Sequence, residues 1–242
     1  NRYPWYRMRC EDDVFLTAPA LTAELFRLDE RGFVEDRQVE NKIVVTCRYV
    51  SVLMSAILKA KGIPARCRAG FAPYFHEGVS MDHWINQYYS HKEERWITFD
   101  ADGFYEEGGM PLSQYDMPQE SFDWAAEAYL ATRSGKTDGR QYLYADCLGT
   151  RSLPALIRYL VYDFHALMNN ELTYSFLPAY LDGRLDRLTE EELRKLDELA
   201  RLLLEPDRHF DRLCAFWERE KRFRILNSPL VDAYSHFSGN VL

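Results

Sequence analysis

The chain has 242 residues, of which 47 % are hydrophobic, 14 % aromatic and 28 % charged, a balance that supports a buried core and excludes the polar, highly charged composition of disordered chains. Its 30 Lys and Arg stand against 38 Asp and Glu, giving a formal net charge of -8, the reverse of the clustered basic excess that a general nucleic-acid binder needs. No apolar run approaches the roughly 20 residues that span a bilayer, so no membrane partner is expected.

The first apolar stretch, residues 20–28, predicts a helix. A stronger helix is expected from Thr46 to Lys61. Val50, Leu53, Met54, Ile57 and Leu58 follow the i, i+3, i+4, i+7, i+8 rule and predict one buried stripe. Thr46 is the expected N-cap, Gly62 the stop, and Pro64 prevents re-entry. Residues 65–74 then read as a strand, with Arg66 and Arg68 on the face opposite Cys67 and Ala69. Residues 83–89 and 95–100 read as two further strands, and the polar run from Ser90 to Glu94 joins them as a hairpin.

The pattern changes near residue 115, beyond which helices dominate. Residues 121–132 predict one helix, and Gly135 to Gly139 a loop. Residues 154–170 carry helical periodicity behind Pro154, which suits a first turn. Thr189 and Glu192 form a capping box ahead of Leu193, Leu196, Leu199 and Leu203. Pro206 closes that helix, and Phe210, Leu213, Cys214 and Trp217 mark the last one. The expected organisation is a core over residues 1–115 and a helical extension over 116–242 packed on it.

Five cysteines, Cys10, Cys47, Cys67, Cys147 and Cys214, are odd in number and widely spaced. They suggest neither a disulfide framework nor a zinc site, and a reducing cytoplasm is the expected compartment. No signal peptide is visible in the opening Asn-Arg-Tyr-Pro-Trp-Tyr. Cys47 differs from the other four by its place in the first turn of a helix. Unpaired N–H groups and the positive dipole end there favour a thiolate.

A thiolate nucleophile needs an imidazole partner. Of six histidines, His76, His91, His209 and His236 fall in segments expected to be solvated, and His165 within an apolar helix. Only His83 begins a predicted core strand. Asp100 ends the next strand. Paired residues in an antiparallel hairpin have a constant sum, and 83 with 100 centres the turn between His91 and Lys92. A shift of two residues would leave the pair diagonal neighbours. The hairpin therefore brings a carboxylate to the imidazole, where it fixes the tautomer. A metal site from Asp82, His83, Asp100 and Asp102 is a weaker alternative, because no second ligand set accompanies them.

The ordered run Cys47-Arg48-Tyr49-Val50, then Gly62-Ile63-Pro64-Ala65-Arg66, Asp82-His83-Trp84 and Arg95-Trp96-Ile97-Thr98-Phe99-Asp100 resembles the core of the transglutaminase-like superfamily. The resemblance covers about residues 40–102. It implies an α+β, papain-like fold in which a helix carrying the Cys packs on an antiparallel sheet, here followed by a mainly helical second half like that of bacterial proteins with this domain. It implies Cys47 as nucleophile, His83 as general acid and base, and Asp100 as the orienting carboxylate. The Cys47 N–H would serve as one oxyanion donor. The Asn41 amide, six residues upstream, would be a second, shorter than the usual side chain there. Trp84 would line the channel or pack in the core.

Val45, Tyr49 and Ala101 depart from residues common in the family. The implied activity is attack on an amide or ester through a thioester. Hydrolysis, as in a peptidase or amidase, is favoured over transamidation because no feature marks a dedicated amine site. The expected substrate is a peptide, a protein or a small amide or ester, with no cofactor and no metal. An inactive binding or scaffold module is the alternative.

Overall fold

The computed structural model describes residues 14–102, 114–146, 148–170, 172–174 and 176–225. Cys10, Cys147 and His236 lie outside the described residues. The first helix, α1 (Ala18–Leu28), opens at Thr17, whose side chain accepts from the Ala20 N–H. α2 (Cys47–Ala60) follows Thr46, which takes the extended N-cap conformation without a side-chain cap bond. Gly62, at φ 76°, supplies the left-handed stop expected of it.

The buried face of α2 differs from the one its apolar periodicity predicts. Val50, Leu53, Met54, Ile57 and Leu58 are only half-buried, whereas Arg48, Tyr49, Ser51, Val52 and Ser55 are buried. The reason is hydrogen bonding to the sheet. Ser51 Oγ donates to the Trp84 carbonyl at 3.1 Å, and the Asn86 amide donates to Ser51 O and Ser55 Oγ, both at 2.8 Å. Two small serines allow close approach of helix and sheet, and their polar groups replace the apolar stripe as the docking face.

β1 (Ala65–His76) and β2 (Val79–Ser90) form a long antiparallel hairpin turned at Glu77–Gly78, and β3 (Arg95–Phe99) continues it antiparallel to β2. The second half contributes two short strands to the same sheet. β4 (Asp123–Trp124) pairs antiparallel with β1, and β5 (Tyr142–Leu143) pairs parallel with β2, giving the order β3-β2-β1-β4 with β5 on β2. β4 occupies the start of the helix expected over 121–132. That helix, α3 (Ala125–Arg133), begins only after Trp124 because Gly70–Phe71 of β1 pairs with Asp123–Trp124. Gly70 admits this approach, since a Cβ there would meet the Asp123 carbonyl at 2.5 Å.

α4 (Ser152–Leu167), α5 (Glu190–Leu204) and α6 (Phe210–Arg219) follow. The capping box of α5 is formed as predicted, with Thr189 and Glu192 each bonding the other's backbone N–H. α4 packs on β1, and one cluster of buried side chains runs from Ala18 through Trp84 and Leu160 to Phe223. The sheet and this core therefore both cross residue 115. The architecture is α+β: a Cys-bearing helix on a mainly antiparallel sheet, with a mostly helical second half.

At the centre of the joint between halves, Asp163 of α4 is fully buried. It accepts from Arg68 Nε and Nη2, both at 2.8 Å, and from the Ala69 N–H at 3.0 Å. A bidentate guanidinium and a strand N–H thus satisfy a carboxylate with no access to water.

Candidate active site

Cys47 is the first residue of α2 and is half-buried, while Cys67 is buried and Cys214 half-buried; all three are free thiols. His83 lies on β2 opposite Gly70 of β1. The β2–β3 register pairs Asn86 with Phe99 and Gln87 with Thr98. The constant sum is therefore 185, and Asp100 sits diagonal to His83, just past the end of β3. The diagonal suffices: His83 Nε2 and Asp100 Oδ2 are 2.8 Å apart, with both residues 1 % exposed.

Asp100 is held from every side. The Tyr74 hydroxyl donates to the same Oδ2 at 2.9 Å, the Asp102 N–H donates to Oδ1 at 3.0 Å, and its own N–H donates to the Gln114 carbonyl. Burial alone would raise its pKa. The hydrogen bond and charge of His83, with the Asp102 N–H and Tyr74, lower it instead.

His83 shows the complementary balance. Burial pushes its pKa down, but the charge of Cys47, the Asp100 hydrogen bond and the Cys47 hydrogen bond together raise it to about 10. With Nε2 engaged by Asp100, Nδ1 is the ring nitrogen left for the sulfur. The rings of Phe75 and Tyr74 meet the imidazole edge-on at 4.8 Å and 6.2 Å. The structure thus brings Cys47, His83 and Asp100 into one chain of contacts. Among the described residues, no group of three or more His, Cys, Asp and Glu side chains is arranged to hold a metal ion.

Residues 36–101 match the family model of the transglutaminase-like superfamily. This segment is a transglutaminase-like superfamily domain. No curated protein and no solved structure matches the chain. The transglutaminase-like segment spans Cys47, His83 and Asp100 and holds β1, β2 and β3 entire. Domains of this superfamily are in general cysteine-based enzymes. No helix among the described residues is long and apolar enough to cross a membrane.

Two other residues singled out in the sequence stand apart from this chain of contacts. Asn41 ends a 3-10 turn (Val39–Asn41), and its carbonyl accepts from Arg37 Nη1. None of the hydrogen bonds among the described residues joins it to Cys47, His83 or Asp100. Trp84 is the next residue along β2 from His83, and its side chain takes the opposite face. It packs on Tyr162 at 6.1 Å and beside the Arg48 guanidinium, within the main core.

Two tyrosines that sequence motifs did not reveal also lie at this site. The Tyr174 hydroxyl lies 3.3 Å from Cys47 Sγ. Asp82 accepts from the Tyr159 hydroxyl of α4 and from the Ala145 N–H at 2.8 Å. Burial, followed by the neighbouring charges of Cys47 and Asp82, raises the pKa of Tyr174 well above that of a free phenol. Tyr159 and Tyr174 come from beyond residue 115. No local pattern in that region announces contact with a sulfur more than a hundred residues earlier. Tyr74 lies past a break in the β1–β2 register between Ala72 and His76, so strand parity could not have placed it on Asp100.

Proposed function

We propose that Cys47, His83 and Asp100 form a thiol acyl-transfer centre acting on an amide or ester. The observation that carries this reading is the bridging imidazole. His83 is bonded to Asp100 through Nε2, interacts with Cys47 at the helix start, and is raised to about 10 by the two together. In this reading the Cys47 thiolate attacks the substrate carbonyl, forming a C–S bond and a tetrahedral oxyanion. The His83 imidazolium gives its proton to the leaving amine or alcohol as the C–N or C–O bond breaks. Neutral His83 then takes a proton from water, which attacks the thioester and releases the acid and the thiolate. An amine in place of that water would give transamidation.

Asp100 holds the ring orientation and stabilises the imidazolium. In this reading the N–H of Cys47, at the first helical position, and the Tyr174 hydroxyl, 3.3 Å from the sulfur, donate to the developing oxyanion.

A binding module that keeps the fold without turnover is the second reading. It is favoured by the near-complete burial of His83 and Asp100 and by the Tyr174 hydroxyl bonded to the sulfur. Incubation with a peptide-ester and p-nitrophenyl-ester library, followed by intact-mass and peptide mapping, separates the two. The enzyme reading expects an acyl adduct on Cys47 in His83→Ala or at short times in wild type, and none in Cys47→Ala. Parallel incubation with an added primary amine reports hydrolysis against transamidation. If no ester acylates Cys47, and iodoacetamide labels it equally fast in wild type and His83→Ala, the enzyme reading fails.

A further inference from the structure

Arg48, the second residue of α2, is 1 % exposed, and its Nε, Nη1 and Nη2 have no hydrogen-bond partner among the described residues. Among the described residues, the aromatic rings nearest its guanidinium are Tyr49 at 4.5 Å and Trp84 at 5.9 Å. This is unlike Arg68 of β1, the other buried arginine among the described residues, which is bidentate to Asp163. The location adds to the imbalance. The first turn of α2 holds no acidic residue, and the positive end of the helix dipole already lies there. A buried cation without a counter-charge or acceptor is among the costliest arrangements a fold can hold.

Arg48 lines a cavity of about 310 Å³. Its described walls include Val52, Ala166 and the Trp84 indole, and none of the described lining residues is acidic. The Trp84 Nε1–H is also buried without an acceptor among the described residues. Lys59, at the rim, is committed to the neutral Asn169 side chain at 2.6 Å. The volume is at the lower end for small-molecule sites, about 300–1,000 Å³.

We propose that this cavity binds a small organic monocarboxylate, its carboxylate on Arg48 and the Trp84 N–H and its apolar body against Val52 and Ala166. The guanidinium fork matches a carboxylate in two parallel bonds. One unpaired cation favours a single negative charge over a phosphate dianion. The site belongs to the α2–α4 side of β2, on the face that carries Trp84, and Cys47, His83 and Asp100 are not among its described lining residues.

The test compares benzoate, its uncharged isostere benzamide, acetate and phenyl phosphate as additives to the whole chain, read by thermal melting and calorimetry. Benzoate should raise the melting temperature of wild type by about 3 °C or more at saturating concentration, with benzamide at least tenfold weaker. Arg48→Met should lose the benzoate response while melting no lower than unliganded wild type, because the orphaned charge is gone. Stronger stabilisation by phenyl phosphate than by benzoate would overturn the monocarboxylate assignment. Equal responses to benzoate and benzamide, no response to benzoate or acetate, or a benzoate response retained in Arg48→Met would each overturn the site. The wild-type comparison decides the matter even if Arg48→Met does not fold.

Discussion

Removing the Asp163 carboxylate should be a severely destabilising polar change. Asp163→Ala leaves the Arg68 guanidinium without its two 2.8 Å bonds and the Ala69 N–H without its acceptor, all in a site with no access to water. Breaking a buried ion pair by deleting one partner costs about 3–5 kcal/mol, and the orphaned strand N–H adds to that. Against a total stability of about 5–15 kcal/mol, a loss near 4 kcal/mol removes a large fraction of it. For a chain of this size it should lower the melting temperature by about 8–16 °C. The double variant Arg68→Met/Asp163→Leu replaces the pair by apolar side chains. It should recover to within about 2 kcal/mol of wild type, because no charge is left unsatisfied. Urea denaturation followed by far-UV circular dichroism measures all three proteins. A cost under about 1 kcal/mol for Asp163→Ala, or a double variant no more stable than that single one, would refute the assignment of Asp163 as the buried link between α4 and β1.

Asp100→Asn should lower the His83 pKa from about 10, seen as an earlier ring-proton transition in NMR, and slow any Cys47-dependent turnover by about 10³–10⁴-fold. A His83 transition unmoved by the change would count against the pairing. His165 is buried, donates to the Val161 carbonyl and accepts from the Ile225 N–H; burial lowers its pKa to about 4. Because this folded-state pKa lies below the unfolded value near 6.5, its neutral form contributes stability above pH 6.5 that is lost as pH falls through 4. The loss reaches about 3 kcal/mol. Urea titrations at stepped pH should show it in wild type, and a His165→Gln variant with no shallower acid slope would contradict it. Truncation after residue 115 removes β4, β5 and α4 from the sheet and core, so the fragment should show no dispersed amide spectrum and no slow hydrogen exchange. A protected fragment would show that residues 1–115 fold alone.

Much of the candidate site was legible because its parts are local. A helix start, a hairpin and a strand end each leave a short-range signature, and the sum rule limited His83 and Asp100 to opposite or diagonal positions. The structure takes the diagonal, with the turn centred one residue later. What the sequence hid was long-range. The docking face of α2 was misread because periodicity counts apolar residues, while Ser51 and Ser55 dock through hydrogen bonds to Trp84 and Asn86. A buried Arg48 has no sequence signature, since an arginine in a helical first turn normally reads as solvated. β4 was hidden because two residues are too short a strand to show alternation, and only pairing with Gly70 gives them their form.

Asp82, next to His83 in sequence, and Asp100, bonded to its ring, have pKa values shifted in opposite directions. Asp100 is lowered by its bonds to His83, whereas burial raises Asp82 despite the Tyr159 hydroxyl and the Ala145 N–H that oppose it. The carboxylate bonded to the His83 ring is that of Asp100, on the Nε2 side. On the sulfur side the nearest groups are phenols, and burial raises the pKa of both Tyr159 and Tyr174 well above 10. They keep their protons through the whole range in which His83 keeps its own. Beside the Cys47 sulfur, the Tyr174 hydroxyl is then a neutral hydrogen-bonding group and the His83 ring a second polar partner. That distribution suits a centre where charge must move from sulfur to a carbonyl oxygen and back. The fold achieves it by drawing its neutral donors from α4 and the segment after it, and its charged pair from the β2–β3 hairpin.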